Sequence, residues 1–172
     1  MTFKLATCLL TVAFLGSCAG ETEPASPSID DVTGFVGKWS GTHRLLDDPN
    51  VYEASYVVER IGDELVWDFA STYGEGFIGH AVTHWDEAKG QFAESWKDSG
   101  GDPESWSHGD WDAAAKTMRS SSPGKDWTDS NIDVTIHGTN VLGEGQFDYT
   151  MTFSYPDGKT TEVMWIHMTS VE

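Results

Sequence analysis

From residue 146 to 155 every second side chain is large and apolar: Phe147, Tyr149, Met151, Phe153 and Tyr155 alternate with Gln146, Asp148, Thr150, Thr152 and Ser154. A strand sends successive side chains to opposite faces, so this rhythm puts one face against a core and the other in water. Pro156-Asp157-Gly158-Lys159 then supplies turn chemistry, and the chain returns with Val163, Trp165 and His167 on one face and Met164, Ile166 and Met168 on the other. The two segments predict a β-hairpin. Similar runs at 35–45, 51–60, 64–72, 76–85, 91–97, 105–111, 116–121 and 132–137 bring the expected total to about ten strands, and no stretch keeps a helical apolar period over several turns. So many short antiparallel strands leave two exposed edges unless the sheet closes on itself. The expected fold is therefore all-β, a single antiparallel meander barrel; the same alternation also permits a two-sheet sandwich.

Ahead of this domain the chain reads differently. Lys4 precedes the apolar run 5–15, and Leu15-Gly16-Ser17-Cys18 closes it with small residues before a cysteine. A bilayer-spanning helix needs about 20 apolar residues, so residues 1–17 read as an export signal that is removed. Residues 18–31 hold Pro24 and Pro27 among acids and small polar residues, with little to bury, and read as a flexible tether. Residues 32–172 then form one domain. The chain's two cysteines are Cys8, which leaves with the signal, and Cys18. No disulfide, thiol nucleophile or cysteine-ligated zinc is open to residues 32–172.

The formal charge of −18 repels nucleic acid phosphates and anionic headgroups, so nucleic acid is not an expected partner. The repeated pattern Trp85-Asp86-x-x-Lys89 and Trp111-Asp112-x-x-x-Lys116 reads as two hairpin corners, in which the Asp accepts a backbone N–H of its turn.

Two resemblances add to this reading. Leu15-Gly16-Ser17-Cys18 resembles the lipobox of bacterial lipoproteins, which implies acylation of Cys18 and anchoring to the cell envelope; Ala19, in place of an inner-membrane retention aspartate, implies the outer membrane, facing the periplasm. Gly37-x-Trp39 resembles the opening motif of calycins, the lipocalin-like barrels, in which the Trp closes the barrel floor. With the run from Gly79 to Trp85-Asp86-x-x-Lys89, Trp96-x-Asp98-x-Gly100, Gly109-x-x-Asp112 with Lys116-Thr117, and Asp157-Gly158-Lys159, the chain is similar to a family of uncharacterised bacterial calycin-like proteins. That resemblance implies a barrel of about ten strands and no particular activity. The ending Thr169-Ser170-Val171-Glu172 lacks the arginine that calycins commonly pack over the first-strand Trp.

Several patterns that suggest chemistry have plainer explanations. Asp98-Ser99-Gly100-Gly101 is similar to the nucleophile loop of chymotrypsin-like proteases, but Lys97 replaces the leading glycine, and the stretch reads as a Gly-rich turn. His80 and His84 would share a helix face, yet Gly74, Gly76, Gly79, Val82 and Thr83 argue for a strand, on which they lie about 13 Å apart. Glu94 and Asp98 stand at the same spacing around Trp96, too far apart for a glycosidase pair at about 5 to 9.5 Å. His43 shares a face with Trp39. Nitrobindin-like haem barrels carry Gly-x-Trp-x-Gly, as Gly37 to Gly41 does, and a histidine near the last strand; that resemblance makes haem a low-ranked cofactor, with His167 as its ligand.

The candidate interior residues are thus Trp39, His43, Trp67, Trp96, Tyr149, Trp165 and His167, around a small apolar or amphipathic ligand. A barrel enzyme using an inward His with a carboxylate is the second reading. A filled barrel that docks an envelope partner through its outer wall is the third.

Overall fold

The computed structural model describes residues 27–101 and 103–171. The signal 1–17, Cys18 and the tether up to residue 26 lie outside the described residues. The expected alternating runs are all strands: β1 (Gly37–Leu45), β2 (Tyr52–Ile61), β3 (Glu64–Ser71), β4 (Phe77–Asp86), β5 (Gln91–Asp98), β6 (Ser105–Asp112), β7 (Thr117–Lys125), β8 (Asp133–Leu142), β9 (Gln146–Ser154) and β10 (Thr160–Val171). Each pairs antiparallel with its neighbours in sequence, and β1 pairs with β10, so the meander closes into a barrel with no free edge. Closure brings the backbones of β1 and β10 very near each other. A Cβ at Gly41 would stand 1.9 Å from the carbonyl oxygen of His167, so only glycine fits there.

The alternation points as expected on most strands. Trp39 and His43 of β1, Ala54 and Val58 of β2, Leu65, Trp67 and Phe69 of β3, and Phe147 and Phe153 of β9 are all buried. Strand β10 departs from the pattern. Its register against β9 shifts between Glu162 and Met164, so Val163 faces inward before the bulge and Met164, Ile166 and Met168 after it. One extra residue moves every later side chain to the opposite face. Trp165 and His167 therefore lie on the outer wall, although they were expected on the face of Val163.

One end of the barrel is sealed. Ser28 caps a 3₁₀ helix, Ile29–Phe35, in a capping box with Asp31, and Ile29 is buried. The helix drives Phe35 into the barrel, with ring centroids 5.3 Å from Trp67, 6.0 Å from Trp111 and 5.7 Å from Phe147. Trp39 packs edge-on to Phe147 at 5.0 Å and donates its indole N–H to the Phe35 carbonyl at 2.8 Å. The floor is thus closed by a first-strand Trp, as the motif implies, with a phenylalanine from the helix pressed into the aromatic layer above it. The two hairpin corners also follow expectation: Asp86 accepts from the Ala88 and Lys89 amides, and Asp112 from the Ala115 amide.

Phe35→Ala empties the centre of this floor. It is expected to cost about 3 to 5 kcal/mol in urea unfolding; a loss below about 1 kcal/mol would mean that the helix is not what closes the barrel.

Candidate functional site

The loops after β1, β3, β5, β7 and β9 surround the end opposite the floor. Here β1, β2, β3, β4 and β5 bring His43, Tyr52, Phe69, Phe77 and Trp96 together, and the loop after β3 adds Tyr73. The His43 ring lies 5.3 Å from Tyr52, 6.0 Å from Phe69 and 6.2 Å from Tyr73; Tyr52 and Tyr73 meet edge to face at 5.1 Å. Trp96 packs against Phe69 at 6.3 Å and lies over Gly79, where a Cβ would come within 2.2 Å of the indole. The glycine is what lets the ring lie flat against β4.

Polar groups are set into this aromatic layer. His43 is only 5% exposed. Its Nε2 lies 2.6 Å from Ser71 Oγ, which also accepts the Tyr73 amide at 3.0 Å. The imidazole Nδ1 is buried without a hydrogen-bond partner among the described residues. Such an omission costs about 1 to 3 kcal/mol, so a buried orphan on a titratable ring calls for an explanation. Burial pushes the His43 pKa down, against a weaker upward pull from Asp48. The Ser71 hydroxyl can donate to Nε2 or accept from it, so Nδ1 can present a donor or an acceptor. At the rim the Tyr52 hydroxyl donates to Asp48 at 2.5 Å, which holds the Asp48 carboxyl below its usual range and raises the phenol. Asp98 accepts the Trp96 indole N–H at 2.8 Å.

Deeper, between this layer and the floor, sits Glu94 of β5. The Trp67 indole donates to Thr83 Oγ1 at 3.0 Å, and the Thr83 hydroxyl donates to Glu94 Oε2 at 2.9 Å. Protein surrounds the carboxyl, and desolvation raises its pKa above the ordinary value of 4.5 while the Thr83 bond opposes the rise. Burial likewise raises the Tyr56 and Tyr149 phenols far into the alkaline range, with the Glu94 charge adding to both. A cavity of about 10 Å³, room for one water molecule, is lined by Thr83, Glu94, Asn140 and the floor residues Phe35 and Trp67. The inner wall of β6, β7 and β8 here carries small residues, with Gly109, Ser120 and Gly138 in register and Ser107 opposite Glu94. Inward-facing Tyr56, Glu94, Tyr149, Met151 and Met164 all keep some uncovered surface. The layer between floor and mouth is therefore loosely filled.

Of the residues expected from sequence, His43 and Trp96 lie at the mouth, Tyr149 in the middle layer, and Trp39 and Trp67 in the floor with their N–H groups already bonded. Trp165 and His167 do not join them. Trp165 lies under Arg44 and donates to Glu162, and His167 lies half-exposed, 2.6 Å from Asp148. That position takes away the basis for His167 as an iron ligand inside the barrel. Sequence reasoning missed Tyr52, Ser71, Tyr73 and Thr83, and weighed Glu94 only against Asp98. The inward rhythm Tyr52, Ala54, Tyr56, Val58 could have found Tyr52; nothing periodic marks Tyr73, which stands in a loop. A shallow groove of about 520 Å³ crosses the outer wall of β2 to β5, but it is open and its His80 and Asp68 already pair at 2.8 Å.

Glu94→Gln keeps an acceptor for Thr83 and removes the charge. A folded-state pKa above the unfolded value means the native state holds its proton longer, so stability falls as pH rises from about 4.5 through the raised value. Thermal unfolding should show the variant and the parent alike at pH 4, with the variant more stable by several degrees at pH 8. A gap that does not change with pH would show that the Glu94 pKa is not raised in the folded state.

No protein-family model matches the chain, and no curated protein is significantly similar to it.

Proposed function

We propose that this chain is a calycin-like binding module of the bacterial cell envelope, taking a small amphipathic molecule at the aromatic end of the barrel. The observation that carries the reading is His43: an imidazole buried among aromatic rings, with one nitrogen that has no partner among the described residues. An amphipathic ligand would supply that partner and lay its apolar body on Tyr73, Phe77 and Trp96. Leu46, Val51, Tyr73, Trp127 and Ile132 stand exposed on the surrounding loops, an apolar approach to the same end. The lipobox-like Leu15-Gly16-Ser17-Cys18 supports an acyl anchor at Cys18, on the periplasmic side of the outer membrane.

The contact between His43 and Ser71 favours a second reading, hydrolysis through a serine nucleophile. It ranks lower because no carboxylate among the described residues orients the imidazole: Asp48 is engaged by Tyr52 and Asn50.

Titration with the uncharged probe N-phenyl-1-naphthylamine, read by its emission and by tryptophan quenching, should saturate at one molecule per chain. Tyr73→Ser is expected to weaken it about tenfold, or about 1.4 kcal/mol. A folded protein that shows no saturable binding refutes the reading. Labelling of Ser71 by a fluorophosphonate would favour the second one instead. In the host, palmitate label should enter the protein and be lost in Cys18→Ala; label retained in that variant would refute the anchor.

A further inference from the structure

The two ends of the barrel differ in charge. Among the described residues of the loops after β1, β3, β5, β7 and β9, the acids include Asp48, Glu75, Glu104, Asp129 and Asp157, and Lys159 is the one base. Lys159 itself is taken up over the Tyr155 ring, 5.5 Å from its centroid. The loops at the floor end, by contrast, mix Asp63, Glu87 and Glu144 with Lys89 and Lys116. Acidic surface alone selects nothing, but at the mouth it surrounds a specific arrangement. Tyr52 and Trp96 each hydrogen-bond an acid, Asp48 and Asp98, so two carboxylates stand at the edges of two electron-rich rings. His43, nine-tenths and more buried, contributes a nitrogen with no partner among the described residues.

These features suit one kind of guest. A cation is attracted to the faces of Trp and Tyr rings, and low-dielectric walls focus the field of the surrounding carboxylates onto it. An ammonium N–H also suits an imidazole nitrogen acting as acceptor. An anion would meet the same carboxylates as repulsion. We infer that the mouth selects a cationic amphiphile, an amine or quaternary ammonium on a compact apolar body, with Asp48 and Asp98 as the countercharges and the Tyr73 and Trp96 rings as the cation platform. The inference rests on the mouth being the binding site and adds the charge of the ligand to it.

Three probes of one shape separate the possibilities: 2-phenylethylamine, 2-phenylethanol and phenylacetate, each competed against N-phenyl-1-naphthylamine on the intact protein. The amine is expected to bind about tenfold or more tightly than the alcohol at low salt, and phenylacetate weakest of all. Asp98→Asn and Asp48→Asn should each lower the amine's affinity more than the alcohol's, so that the ratio between the two shrinks. Added sodium chloride should shrink the amine's advantage in the unaltered protein, a measurement that needs no variant to fold. Equal affinity for amine and alcohol would overturn the charge selection while leaving the binding reading standing. An amine preference unmoved by salt and by both substitutions would overturn the assignment of Asp48 and Asp98. If no member of the series displaces the bound naphthylamine, the selection falls with it. If the naphthylamine itself does not bind, the failure lies with the binding reading.

Discussion

The pairing of β1 with β10 runs from Lys38 against Val171 to Leu45 against Met164, and it turns a meander into a continuous wall. Without it the chain would end in two unpaired edges, and the inward aromatic side chains would have nothing to enclose. A side chain at Gly41 would strike the His167 carbonyl of β10, so its absence is a condition for that closure. Once the wall is closed, the parity of each strand decides what lies inside. The molecule's chemistry follows from which residues that parity selects.

Parity was also what the sequence made legible, and where it slipped, the reading slipped with it. The alternation of β9 marked its inward face correctly because nothing interrupts it. The alternation of β10 marked Trp165 and His167 as inward because a bulge leaves no plain trace in the pattern of apolar residues: Val163 and Met164 are both apolar, so the change of face is hidden between them. His43 and Trp96 were found by sharing a face with other large residues. Tyr73 was not, since a loop residue has no period, and its place over His43 depends on how β3 and β4 are joined. The helix beneath the floor was not legible: Ile29 is one apolar residue among acids, in a stretch that reads as a tether, and the cap by Ser28 becomes evident only in the folded turn.

The interior divides into a tightly packed floor and a looser layer above. In the floor, Phe35, Trp39, Trp67 and Phe147 meet edge to face, and each indole N–H has an acceptor. Above it, large side chains on β2 and β3 face serines and glycine on β6 to β8, so volume is missing on one side. Glu94 stands on that side. The Thr83 hydroxyl donates to its carboxyl, and the position next to small hydroxyl-bearing residues relieves some of the cost of burying it.

The chain enters the barrel from below: the 3₁₀ helix runs under the floor, Gly37 follows almost at once, and β10 finishes beside it with Val171 opposite Lys38. Both ends of the described chain therefore share one pole, and His43 with its aromatic neighbours occupies the other. Under the acyl anchor proposed at Cys18, attachment would come to the closed pole, with the aromatic end on the side away from it.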